Sequence, residues 1–136
     1  MSQLRRLWEE DFAAVTKAVI EETEDPAITI LAWDIDSRIA FPPGGASDGL
    51  PGTLGELLDA LAARTRGLHV YVLSWDFAML YALDREFLPI YRFGWRTHRR
   101  VHFHLDDRHP PGGSHHQKLV VLDDALAFVG GLDLTK

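Results

Sequence analysis

The run Ala27-Ile28-Thr29-Ile30-Leu31-Ala32-Trp33 constrains the fold of this chain more than any other segment. It is nearly all apolar and rich in β-branched residues, so it predicts a strand buried on both faces rather than an amphipathic surface strand. Leu68 to Ser74 repeats the pattern, and Arg100 to Leu105 alternates as a third strand. Helical spacing lies between them. Leu7 to Ile20 places Phe12, Val15, Val19 and Ile20 on one side and stops in the acidic run that ends at Pro26. Thr53-Leu54-Gly55-Glu56 has the form of a capping box opening a helix to about Arg66, with Gly67 as terminator, and Asp76 to Leu88 repeats the helix pattern. Between the first strand and the second helix, Phe41 to Gly52 is a loop by its Pro and Gly content. Alternating helices and strands imply an α/β fold with a mixed, mostly parallel sheet flanked by helices.

With 136 residues and 46% hydrophobic composition, the expectation is one domain spanning 1–136 with a real core. The absence of cysteine excludes a disulfide framework and a thiolate zinc site. Glu9, Glu10 and Asp11 interrupt any apolar run behind the first arginines, and no stretch has the length of a membrane span, so the chain reads as soluble, cytoplasmic or peripheral to a membrane rather than secreted. The net charge of −6 argues against general nucleic-acid binding. That charge is uneven: residues 1–59 hold 4 Lys/Arg against 12 Asp/Glu, whereas residues 60–136 hold 10 against 8, together with His98, His102, His104, His109, His115 and His116. The C-terminal part can therefore host an anionic group.

Two strand ends echo one another, ILAWD at Trp33-Asp34 and VLSWD at Trp75-Asp76. Ligands of open α/β sheets bind beyond the carboxyl ends of strands, so these tryptophans are candidates for the wall of a pocket. The plainer reading is a large core residue followed by a helix-capping Asp.

The segment richest in chemistry follows the loop Asp106 to Ser114. His115 to Leu122 reads as a strand that points His116 and Lys118 to one side. Asp123-Asp124 reads as a tight turn, Ala125 to Val129 as the returning strand, and Gly130-Gly131 as a place where backbone must be free or closely approached. An imidazole beside an ammonium suits a phosphodiester: His attacks phosphorus or protonates a leaving oxygen, and Lys neutralises nonbridging oxygens. No metal or other cofactor is required. The histidines could instead be metal ligands, His102 and His104 sharing a strand face, but no cysteine and few positioned carboxylates accompany them. The basic run Arg96 to Arg100 is read as a solvated face before a strand.

An arbitrary His-x-Lys is ordinarily a solvated edge. Here His116-x-Lys118, four residues, Asp123, six residues, Gly130-Gly131 resembles the HKD motif of the phospholipase D superfamily. The wider segment SHHQKLVVLDDALAFVGGLDLT resembles the first of the two such motifs in phospholipases D, and LAWDIDSRI, LHVYVLSWDFAMLYALDRE and WRTHRRVHFHLDD resemble the N-terminal half of bacterial two-motif enzymes. The likeness runs from about residue 26 to the end, leaving the lead helix of 1–25 outside it. What it implies is a half-domain in which His116 is the nucleophile, Lys118 holds phosphate oxygens, and Asp123 completes the catalytic motif, more as a structural member than as a proton carrier. Gly130, Gly131 and Asp133 are then substrate-side residues, Asp133 acting through orientation. The sequence contains one such motif, so the resemblance further implies that turnover needs a second HKD half, in cis or in trans. The expected substrate is a phospholipid or another phosphodiester, with peripheral membrane contact. The alternatives are a homodimeric, nuclease-like single-motif enzyme and an inactive interaction module.

Overall fold

The computed structural model describes residues 25–40, 49, 51–75, 97–106, 108, 110, 113, 116–131, 133 and 134. The predicted helices over 7–20 and 76–88 and most of the loop 41–52 lie outside these residues. Strand β1 (Ala27–Ala32) is central. β2 (His69–Trp75) pairs parallel to one side of it, and β3 (Val101–Asp106) pairs parallel to β2. On the other side, β4 (Leu119–Leu122) runs antiparallel to β1, and β5 (Leu126–Val129) runs antiparallel to β4. The order β3-β2-β1-β4-β5 is thus a mixed sheet, parallel through β1, β2 and β3, as the strand and helix alternation predicts. A parallel pair needs a long crossover, whereas the β4–β5 hairpin needs only a turn, and this explains where the direction changes.

Register puts apolar side chains in rows on one face. Ile28 stands between Val70 and Leu122, and Ile30 between Val72 and Val120. Helix α1 (Leu54–Arg64) covers this face with Leu54, Leu57, Leu58 and Ala62, all buried in the same cluster. Ile28, Leu58, Val70 and Leu122 are fully buried. Each such side chain contributes roughly 1.5–3 kcal/mol relative to exposure. The opposite face is more open, with Tyr71 45% exposed. There His69 Nδ1 lies 3.0 Å from His102 Nε2, and Tyr71 stacks on His102 at 5.0 Å between ring centroids. The first strand is therefore half-covered on this side, less buried than its composition predicts.

The capping box is realised differently from its usual form. Thr53 does stand at the N-cap with extended backbone, but its hydroxyl donates to Glu56 Oε2 at 2.7 Å and accepts no helix N–H. The first-turn donors find the preceding loop instead: the Leu54 N–H donates to Ile39 O and the Gly55 N–H to Ser37 O. These donors face protein rather than water, so backbone carbonyls do the capping. At the other end, the Arg100 guanidinium donates to the carbonyls of Ala62 and Thr65, so this member of the basic run satisfies the exposed end of α1 rather than solvent. Gly67 follows with φ of 81°, the left-handed conformation that lets the chain reverse into β2. Among the described residues, no helix is long and apolar enough to cross a membrane.

The close approach of α1 to the Ser37 turn depends on Gly55. A Cβ there would stand 2.9 Å from Ser37 Cβ, and Ser37 is fully buried. Gly55→Ala is expected to destabilise the fold by about 1–3 kcal/mol despite alanine's better helix propensity. Urea denaturation of the two proteins measures this, and an equal or higher midpoint for the variant would contradict it.

Candidate active site

The hairpin that carries the motif is pinned at one end and open at the other. At the pinned end, Asp123 and Asp124 both have positive φ, 52° and 54°, and the Ala125 N–H donates to Leu122 O at 3.0 Å. Aspartate tolerates the left-handed region because its short carboxylate can bond locally. Asp123 makes a reciprocal pair with the start of β1: its N–H donates to Ala27 O at 2.9 Å, and its Oδ1 accepts the Ala27 N–H at 2.5 Å. The structure therefore does not bring Asp123 to His116. The length of β4 separates them, roughly 13 Å for four residues.

At the open end, β4 begins at Leu119 and not at His115. Its partner β1 pairs with it only as far as Leu31 opposite Leu119, so residues 116–118 precede the ladder between those strands. One bond continues on the other side, where the Gly130 N–H donates to Lys118 O at 3.1 Å. His116 and Lys118 nevertheless meet. Lys118 Nζ is 3.4 Å from His116 Nε2 and 3.5 Å from Nδ1. Near-equal distances set the ammonium against the ring as a whole, so neither nitrogen is committed to it by a short hydrogen bond. The imidazole is exposed while the Lys118 side chain is only 6% exposed.

A buried ammonium requires a partner, and Asp133 supplies it with Oδ1 at 3.3 Å from Nζ. Asp133 can reach because residues 133 and 134 fold back along the end of β1. The Asp36 N–H donates to Leu134 O at 2.8 Å, Ile35 bridges Leu134, and Asp133 Oδ1 also accepts the Asp34 N–H at 3.4 Å. Gly130 and Gly131 lead into this fold-back. Neither is among the glycines with positive φ, which are Gly49 and Gly67 in the described residues, and a Cβ on Gly131 would meet nothing within 4 Å. Left-handed backbone is thus not what glycine provides at these two positions.

Parallel pairing of β1 with β2 sets the two Trp-Asp echoes side by side. Trp33 stacks on Trp75 at 5.6 Å with 26° between planes, and Trp33 lies 6.1 Å from the His116 ring. A shallow cleft lined by Leu31, Leu73, Trp75, Asp106 and Gln117 opens at the same carboxyl ends of the strands. Sequence reading singled out the tryptophans but not the contact of Trp33 with His116. It also missed the turn at Asp36, whose carboxylate takes two bonds from the Arg38 guanidinium at 2.8 and 2.7 Å; an acid and a base two residues apart beside a strand end was the available signal. The histidines do not assemble as a metal centre among the described residues, where no three His, Asp or Glu side chains converge.

No family model matches the chain. Among curated proteins, phospholipase D C of Dictyostelium discoideum is 40% identical over 72 residues, covering 52% of this chain. Phospholipase D alpha 1 of Vigna unguiculata is 29% identical over 97% of the chain, and that of Ricinus communis 30% over 95%. The chain is similar to phospholipases D. It spans 4% of the amoebal protein's length and 19% of each plant protein's, so the likeness is to one segment of these phospholipases D. The relatives named are plant and amoebal, so the bacterial likeness expected above is not what they add.

The pinned end of this phospholipase D-like hairpin gives a stability test. Asp123→Ala removes the acceptor for the Ala27 N–H and puts an ordinary side chain at positive φ, which should cost about 2 kcal/mol or more. Asp123→Asn keeps an acceptor oxygen and tolerance for the left-handed turn, and should cost less than about 1 kcal/mol. Equal losses for both in thermal or urea unfolding would show that the bond to Ala27 is not what holds the hairpin.

Proposed function

We propose that the chain forms one half of a phospholipase D-type phosphodiesterase site and acts on a phospholipid or related phosphodiester when a second HKD half faces it. Residues 1–136 are, on this reading, the half that carries the nucleophile. The observation that supports it best is the pairing of an exposed imidazole with a buried ammonium 3.4 Å away, at the open carboxyl end of the sheet. Similarity to phospholipases D supports the substrate class.

In the proposed reaction a lone pair of His116 attacks phosphorus, and the bond from phosphorus to the leaving alcohol breaks. A phosphohistidine forms, and the alcohol oxygen takes its proton from the histidine of the second half. That histidine then takes a proton from water or an acceptor alcohol, whose oxygen attacks phosphorus and releases His116. Lys118 holds the nonbridging oxygens by N–H donation in both steps. Asp123 holds the hairpin, and Gly130 and Gly131 leave room beside the phosphate. An in-line displacement puts nucleophile and leaving group on opposite sides of phosphorus, so one histidine cannot serve both. This is why a second half is part of the proposal, either elsewhere in the same polypeptide or in another. Contact with a membrane would be peripheral, through the substrate.

The test is reconstitution. The chain is mixed with a separately expressed second-motif half of a phospholipase D, and choline release from phosphatidylcholine vesicles is followed, with a matched pair of halves from that phospholipase D as positive control. Turnover is expected on mixing, with a loss of roughly a thousandfold or more in His116→Ala. No His116-dependent turnover, under conditions where the control pair is active, would sink the proposal. Turnover by the chain alone that rises with the square of its concentration would replace it with the homodimeric reading.

A further inference from the structure

We infer that Asp133 makes this site selective for monoanionic phosphodiesters over dianionic phosphomonoesters, by cancelling most of the charge that Lys118 presents. The inference rests on the proposed phosphate-binding role of Lys118, and adds to it a specificity-determining carboxylate that contacts no reacting atom.

The argument starts from the ion pair. Lys118 Nζ and Asp133 Oδ1 are 3.3 Å apart, with side chains only 6% and 18% exposed, so solvent screens their fields weakly. A second bond, from the Asp34 N–H to the same Oδ1, and the fold-back of residue 134 along Asp36 hold the carboxylate in place. A phosphate that reaches Lys118 therefore meets a nearly neutral pair, slightly positive on the lysine side, and not a free cation. The interaction energy of a ligand with this field scales with the ligand's charge. In a site with an uncancelled ammonium, a dianion gains about twice what a monoanion gains and would occupy the site in preference. Where the field is nearly cancelled, that advantage disappears, and the uncharged bonds of a diester, stacked near Trp33, weigh more. The device suits a diesterase, because the product of hydrolysis is a phosphomonoester that bears an additional charge near neutral pH. A carboxylate beside the phosphate subsite, at first sight a liability, lets the monoester leave.

The test uses two matched probes, methyl phenyl phosphate and phenyl phosphate, at pH 8, where the first is a monoanion and the second a dianion. Binding to the chain is titrated by NMR for the wild-type protein and for Asp133→Asn, Asp133→Glu and Lys118→Met, with circular dichroism confirming that each variant folds. The quantity read is the ratio of the two affinities. Asp133→Asn is expected to shift that ratio toward phenyl phosphate by roughly tenfold, the order given by one unit charge across a partly buried site. Asp133→Glu keeps the charge and should hold the ratio near the wild-type value even if both affinities fall, which separates charge from mere structural support. An unchanged ratio in Asp133→Asn, with binding of both probes still dependent on Lys118, would overturn the selectivity role alone. If Lys118→Met leaves both affinities unaltered, the phosphate-site reading itself fails, and this inference with it.

Discussion

Burying the Lys118 ammonium is the demand around which the site end of this molecule is arranged. A charge at 6% exposure is tolerated only with a partner, and its partner, Asp133, lies beyond the entire β4–β5 hairpin in sequence. For the carboxylate to arrive, the chain must turn at Asp123-Asp124, run back as β5, pass Gly130-Gly131 and fold onto residues 34–36. The ion pair therefore ties the hairpin to the end of β1. The exposed imidazole of His116 is set against the same ammonium, so the position of this ring follows from the pairing of the lysine behind it.

Strand β1 makes this possible because it is the place where the sheet changes direction. Parallel pairing on one side brings Trp75 beside Trp33 at the carboxyl ends; antiparallel pairing on the other side brings the beginning of β4 to the same end. The two aromatic rings, the imidazole and the ion pair converge there although they come from four separate stretches of chain. The opposite end of β1 is closed by the reciprocal bonds between Ala27 and Asp123. One motif thus supplies both ends of one strand pair, the imidazole and ammonium at one and an anchoring aspartate at the other.

Reading the sequence against the fold separates local from nonlocal causes. The strand positions and the helix at 54–64 were legible because burial on one sheet face writes a periodic pattern that needs no knowledge of partners. The tight turn at Asp123-Asp124 was legible for the same local reason, residue types that accept positive φ. Less legible were the features that depend on who stands opposite. Thr53 and Glu56 had the spacing of a capping box, yet the loop at Ser37 and Ile39 caps the helix. Arg100 looked like a solvated base but closes the far end of α1. The strand expected from His115 starts at Leu119, because β1 offers it no partner earlier.

By itself, then, the sequence determined the strand positions, the helix at 54–64, the residues that form the core face, and the spacing of His116, Lys118, Asp123 and the glycine pair, since all of these are carried by periodicity or by fixed offsets along the chain. Only the tertiary structure decided that Asp123 belongs to the far end of the strand, that Trp33 stands beside His116, and that Asp133 pairs with Lys118. Each of these is a contact between residues distant in sequence, fixed by sheet register and by the electrostatic cost of leaving a buried charge alone.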